Sequence, residues 1–396
     1  MRIIVTLLFC LFAISAIAQT DGEQTDMEQT NIEQTIPKKT KTEPSGIVKP
    51  FQASFVSPLG SNWLDSHLIT NMGSFNLLGG HSHGNLYFEY GSLYNINLHL
   101  TRGFHMAGIF NYSGNTENAT QLAGVSNISM GGNAVCQISA ITNIAKESTT
   151  QFAGVANITA GPTGTQMSGV FNFAKGAAFQ SAPILNVSDG TVGTQLGLLN
   201  VAREVNGVQI GLINSSEDMN GVPIGLINIV KNNGKYDFEV GFSESLNTFV
   251  SFKFGAQKFY TIFSGAFNYL DDPGIYAAGM GFGTHSDWIA GWGHDVELMS
   301  YSIIKEGEWQ KDLNMLNQFK IRVSKQFGDY FKVFAGPVFN FTVERYDNPN
   351  KPEDTKKTVS PPWSSIWSDE KGKEDANKKT NLNFWIGFEV GVGISM

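Results

Sequence analysis

Two short runs in this 396-residue sequence carry side chains able to do chemistry. His81-Ser82-His83 puts two imidazoles on one side of an extended segment, with His99 and His105 close in sequence, a pattern from which a transition metal could be held. Gly79-Gly80 before it and Gly84-Asn85 after it read as turns, and no third ligand has a defined place, so a polar turn is the simpler reading. His285-Ser286-Asp287 offers base, nucleophile and carboxylate. A hydrolase needs those groups to converge in space, which adjacent residues on one backbone seldom do. Cys136, beside Gln137, reads as a small buried residue rather than a reactive thiol. We therefore expect no catalytic residue, no metal and no cofactor.

A larger set of charges, Asp237, Glu239, Asp295, Glu297, Lys253, Lys320 and Arg322, makes sense only once the elements carrying it are placed. From Tyr236 onward the chain alternates apolar and polar residues. In the last segment Leu382, Phe384, Ile386, Phe388, Val390, Val392, Ile394 and Met396 fall on one face, and Asn381, Asn383, Trp385, Glu389 and Ser395 on the other. Eight such segments follow one another, with tight connections expected at 283–287 and 327–329 and longer ones at 270–274, 305–314 and 346–380. An even strand count and alternating loop lengths predict an antiparallel outer-membrane-type barrel over 231–396, with Phe384 to Ile394 facing lipid and the 346–380 loop projecting outward. Eight strands leave an interior that side chains just fill, so the charges are expected to pair as a plug rather than line a pore. A soluble sandwich would show the same alternation, but it has no need of the loop pattern.

Between 101 and 230 a unit of the form Gln-apolar-x-Gly-apolar-x-Asn recurs. Its glutamines are Gln121, Gln137, Gln151, Gln166, Gln180, Gln195 and Gln209, and its asparagines Asn111, Asn127, Asn143, Asn157, Asn172, Asn186, Asn200, Asn214 and Asn228. Successive asparagines are 16, 16, 14, 15, 14, 14, 14 and 14 residues apart. So short a period means either stacked coils or repeated single strands. In a β-solenoid each coil lies about 4.8 Å above the last, and identical amides form a hydrogen-bonded ladder. As antiparallel strands of a larger barrel the asparagines would alternate between rims, and a channel would become possible. The later copies lose one residue between Gln and Asn, which would flip a flat strand but can be absorbed at a solenoid corner. The solenoid is the expected form.

The rest of the chain is read more simply. Met1-Arg2, an apolar run and Ala16-Ile17-Ala18 form an export signal with cleavage after Ala18. Cys10 lies within that run without the small residues that precede a lipid-modified cysteine, and only Cys136 remains afterwards, so no internal disulfide forms. A polar stretch with three Glu-Gln-Thr units reads as a disordered spacer at 19–50, and short strands at 51–100 as a cap. Charged residues make up only 16% of the chain, the net charge is -8, and no basic block is present, which argues against nucleic acid as a partner.

The block of repeats, preceded by Phe75-Asn-Leu-Leu-Gly-Gly and followed by Lys235-Tyr-Asp-Phe-Glu-Val, resembles the bacterial surface repeat-containing envelope proteins. The resemblance covers the chain from about Phe51 and departs at His105 and Pro223 in the Gln position and at Ala140 and Pro183 in the Gly position. It implies an exported, β-rich protein of the outer membrane or cell surface with no assigned reaction. Outer-membrane lipid and host or envelope surface molecules are the expected partners, and a structural or adhesive role the expected function.

Overall fold

The computed structural model describes residues 46–269, 275–305, 308–309, 314–346, 359, 366–372 and 379–396. The export signal, most of the polar spacer and most of the 346–380 loop lie outside the described residues. The chain divides into two compact units, 1–192 and 193–396.

The first unit is a stack of coils. Tyr94–Ala107, Phe110–Ala123, Ser126–Ser139 and Thr142–Ala153 pair side by side in parallel, and the next two coils are split into two shorter strands each. Register is residue on like residue: Asn111 opposes Asn127, Asn127 opposes Asn143, and Gln121 opposes Gln137. Parallel pairing is what stacked coils require; single-strand repeats of a membrane barrel would be antiparallel. The β-solenoid is therefore the form adopted, and the repeats are not barrel strands.

Two expected boundaries move. The first strand, Ile47–Val56, begins inside the stretch read as spacer. It pairs in parallel with Ile69–Ser82, which pairs in turn with Gly84–Gly91, so residues read as a separate cap already belong to the stack. The sequence concealed this because the glutamine column begins with unlike residues: Gln52, Ser74, Glu89 and His105 lie in register below Gln121.

Each coil is inverted relative to an ordinary soluble domain. Asn143, Ala145, Ser148 and Gln151 point inward and are buried, while Ile141 and Phe152 point outward and are each 38% exposed. The outward character changes around the coil. The bend that follows each glutamine is aliphatic, and the opposite edge, Lys146, Glu147 and Thr149 in this coil, is polar and exposed. Bend backbones stack so closely that a Cβ on Gly124 would sit 2.1 Å from the Gly108 carbonyl oxygen, which explains the glycine there.

The second unit opens with coils of the same kind, Leu199–Ile210, Ile213–Met219 with Val222–Ile224, and Ile227–Val230. Asn200 opposes Asn214, Asn214 opposes Asn228 and Gln209 opposes Pro223, so the residue lost between Gln and Asn is absorbed at the bend without a change of face. Eight antiparallel strands follow: Lys235–Ser243, Thr248–Ala256, Phe259–Asn268, Ile275–Asp287, Trp292–Lys305, Asn314–Phe327, Phe331–Tyr346 and Lys379–Ser395. The first pairs with the last, Val240 opposite Val392, which closes the barrel. The strand Trp367–Gly372 pairs with the final strand and extends the sheet at one rim.

The tight turn expected at 283–287 is not there. The fourth strand runs straight through to Asp287, paired with Gly293, because the reversal is made by Ile289–Gly291, where Ala290 takes φ 59°. Connections at this end are short, with two residues between Ala256 and Phe259 and three between Phe327 and Phe331. The strand Lys235–Ser243 enters at this end, and the Met396 N–H donates to the Tyr236 carbonyl, so the chain terminus lies here too. In the last strand Ile386, Phe388, Val390, Val392 and Ile394 point outward and are exposed, Phe384 is half-buried, and Asn383, Trp385 and Glu389 point inward.

Candidate functional site

The barrel interior concentrates most of the charge that the sequence singled out. Strand alternation sends Asp237, Glu239, Lys253, Asp295, Glu297, Lys320 and Arg322 inward, and Lys235, Lys332 and Glu389 join them. Five cations thus meet five carboxylates, all buried. Arg322 is the hub: Nη1 donates to Glu239 Oε2 at 2.8 Å, Nη2 donates to Glu297 Oε1 at 2.6 Å, and Asp295 Oδ2 lies at 3.3 Å. Its guanidinium stacks 4.4 Å from the Phe334 ring.

Around the hub, Lys253 bridges Glu239 and Glu297 at 2.6 and 2.5 Å, Lys332 bridges Asp237 and Glu239 at 2.6 and 2.7 Å, and Lys320 holds Glu389 at 2.7 Å. The Tyr260 hydroxyl donates to Glu297 at 2.8 Å. Toward the other rim, Tyr301, Ile303, Leu316 and Trp385 form an apolar cluster, and Glu244 reaches in to accept from the Trp385 indole at 3.3 Å and the Phe388 N–H at 2.7 Å. A Cβ on Gly387 would lie 1.7 Å from Glu244 Oε1, so only glycine lets that carboxylate approach. Opposite charges at hydrogen-bonding distance, with aromatic rings against them, make a filled plug. The pairing expected from the sequence is present; Lys235, Lys332, Glu389 and Tyr260 were missed as members. Polar side chains at even spacing from Asp237 and on the polar face of the last strand were the available signal.

His285 also belongs to the lumen. Its Nδ1 lies 2.9 Å from Asp295 and its Nε2 2.9 Å from Asp287. Ser286, one residue along the strand, faces the other side, so the three residues do not converge as a nucleophilic triad.

In the coils two amide ladders occupy the columns expected from the sequence. Each asparagine donates from Nδ2 to the Oδ1 of the next coil: Asn111 to Asn127, Asn127 to Asn143, Asn143 to Asn157, Asn157 to Asn172 and Asn172 to Asn186, at 2.9–3.0 Å. Asn200 to Asn214 and Asn214 to Asn228 repeat this in the second unit. The glutamines donate the opposite way, toward the preceding coil: Gln137 to Gln121, Gln151 to Gln137, Gln166 to Gln151, Gln180 to Gln166 and Gln209 to Gln195. The two rows of amide dipoles therefore oppose one another. Both departures from the Gln pattern have consequences. Pro223 supplies no donor, and Gln209 Oε1 is left without a hydrogen bond. His105 instead lies 3.2 Å from Glu89, which also accepts from Asn97 at 2.6 Å, a buried acid and imidazole in place of two amides.

His83 and His99 stack one coil apart with ring centroids 4.1 Å from each other, and His83 Nδ1 lies 3.3 Å from the His67 carbonyl. Burial pushes the imidazoles of His81 and His83 below the ordinary value, with neighbouring rings adding to the shift, His67 for His81 and His99 for His83. Among the described residues no group of three or more His, Cys, Asp or Glu side chains is arranged to hold a metal. Cys136 is not buried as expected: it sits half-exposed on the outer face between Thr120 and Thr150, because it immediately precedes the inward Gln137. Partial burial still pushes its thiol above the ordinary value.

On the outside of the first unit, a shallow groove of about 600 Å³ crosses successive coils, lined by Met106, Leu122 and Ile138 with Gly108, Gly124 and Ala140 of the bends. The chain matches no family model, no curated protein and no solved structure.

Proposed function

We propose that this is an exported, non-catalytic envelope protein whose barrel anchors it in the outer membrane and whose coils serve a structural role. One contrast carries the reading: the barrel buries its network of ten paired charges inside and exposes a largely apolar wall outside. Phe238, Val250, Phe263, Phe282, Ile321 and Phe388 are each at least 39% exposed. A soluble sheet would cover such a face with a second layer, whereas a membrane barrel leaves it to the lipid. Salt bridges fill the lumen, which supports an anchor over a conducting pore.

By the rule that outer-membrane barrels place short turns in the periplasm, the coils of the second unit, which lead into the barrel at its short-turn end, lie on the periplasmic side. That placement favours a structural role over contact with a host surface. The test is to refold the mature chain into vesicles, measure its resistance to alkaline extraction, and record planar-bilayer currents. Retention with no stable current step supports the anchor. Extraction in soluble form defeats it, and a steady conductance defeats the plug.

A further inference from the structure

The second unit shows how its last coil meets the barrel, and the contact has a direction. The Asn ladder ends there: Asn228 Nδ2 donates to Thr261 Oγ1 at 3.1 Å, and Thr261 Oγ1 donates to the Gly225 carbonyl at 2.9 Å. Thr261 points away from the lumen, since its neighbours Tyr260 and Ile262 point in, yet it is fully buried. The coil covers it. The next outward residue on the same strand, Phe263, is 40% exposed and belongs to the apolar wall. Two residues along a strand span about 7 Å, so the coil is seated at the very edge of that wall.

The coil's two edges are not equivalent in this seat. Its polar edge lies toward the turn end: the Asn220 carbonyl accepts from Lys258 Nζ at 2.8 Å, and Lys258 sits in the two-residue turn beyond the strands. Its aliphatic bend, Gly225-Leu226, lies one step further into the barrel, at Thr261. The apolar edge therefore faces the apolar wall, and the polar edge faces away from it. The bend residues of the preceding coils, Leu198 and Leu212, are 54% and 48% exposed, and Arg203, Glu204 and Asn206 occupy the opposite edge.

From this we infer that the aliphatic edge of the second unit's coils is a lipid-contact surface, immersed at the headgroup–acyl boundary of the leaflet on the short-turn side, while the polar edge faces water. The inference rests on the barrel being membrane-embedded. An exposed apolar strip this long on a soluble protein would be a liability, whereas an amphipathic element lying in the interface gains from burying its apolar face to a depth of about 5–10 Å. The interior of these coils supports the same conclusion: the amide ladders, with small inward residues such as Ala202, Val205 and Val230, hold the coil together, so the large aliphatic residues of the bends remain free to face outward.

The experiment uses the full mature chain reconstituted in phosphatidylethanolamine–phosphatidylglycerol vesicles. Cys136→Thr, which continues the column of Thr120 and Thr150, removes the native thiol. Single cysteines are then placed at Leu198, Leu212, Asn206 and Val390 and labelled with an environment-sensitive fluorophore, with strand content checked by circular dichroism. Two edge positions are used so that one misfolded variant does not decide the outcome. The expected result is that labels at 198, 212 and 390 lose most of their emission to doxyl-lipid quenchers, while the label at 206 is quenched only by aqueous iodide. If the label at 390 responds to lipid but those at 198 and 212 respond to iodide, the lipid-contact edge is overturned and the anchor stands. If 198 and 212 are shielded from both quenchers, the edge is covered by protein and the inference is likewise overturned. If the label at 390 also responds only to iodide, the membrane reading fails, and the inference fails with it.

Discussion

The coils and the barrel both bury polar side chains and expose apolar ones, but they satisfy the buried groups by opposite means. In the ladder columns of the coils most of the buried groups are neutral amides, donating to a copy of themselves in the adjacent coil. At the barrel hub they are ions, most of them facing a residue of opposite charge on another strand. Topology explains the difference. Parallel stacking sets every residue against its own repeat equivalent, so a buried group must be self-complementary, and an amide is, having both donor and acceptor, whereas a carboxylate would meet a carboxylate. Antiparallel closure sets unlike residues together, so cations and anions can pair.

That comparison can be broken or sharpened by substitution. The largest effect is expected at the lumen hub: Arg322→Met leaves Glu239, Glu297 and Asp295 without their shared cation, and breaking a buried ion network from one side costs about 3–5 kcal/mol. The urea midpoint of the barrel in detergent measures it; an unchanged midpoint would mean that the plug is hydrated rather than paired. Next comes Asn143→Asp, which replaces the bonds donated to Asn157 and to the Phe152 and Gln137 carbonyls with acceptors facing acceptors. A loss of about 3 kcal/mol is expected, against roughly 1–3 kcal/mol for Asn143→Ala, which only leaves partners unsatisfied. If Asp proves no worse than Ala, self-complementarity is not what selects the amide.

Acid should weaken the coils of the first unit through His81 and His83. Their folded values are depressed, so unfolded imidazole binds protons first as pH falls below about 6.5, and stability present at neutral pH is lost on the way down. Melting temperatures between pH 7.5 and 5.5 report this, and His83→Asn should flatten the slope. The smallest effect is expected from His105→Gln, which restores the ladder residue beside Gln121 and keeps an amide donor within reach of Glu89; a change within about 1 kcal/mol fits one hydrogen bond exchanged for another. A strong loss there would show that the Glu89–His105 pair contributes more than the amides it replaces.

How much could be read beforehand follows the same division. The asparagine spacing alone fixed which residues stack, because a repeat translated along an axis places like on like whatever the bend does. Alternation after Tyr236 fixed the eight strands and which charges turn inward. The start of the stack was not legible, since Gln52, Ser74, Glu89 and His105 share a column without sharing chemistry. Nor was the turn after Asp287, because a strand can run past glycines when its partner does, and here Gly283 pairs with Glu297 without a break.

By itself, the sequence determined periods: 14 to 16 residues for a coil, two for a strand, and with them the inward faces of both regions. Only the tertiary structure decided the direction in which each ladder donates, which cation meets which carboxylate, and where the last coil is seated. Those are contacts between residues tens of positions apart, such as Asn228 with Thr261 or Arg322 with Glu239, and local pattern carries no information about them until register and closure bring them within hydrogen-bonding reach.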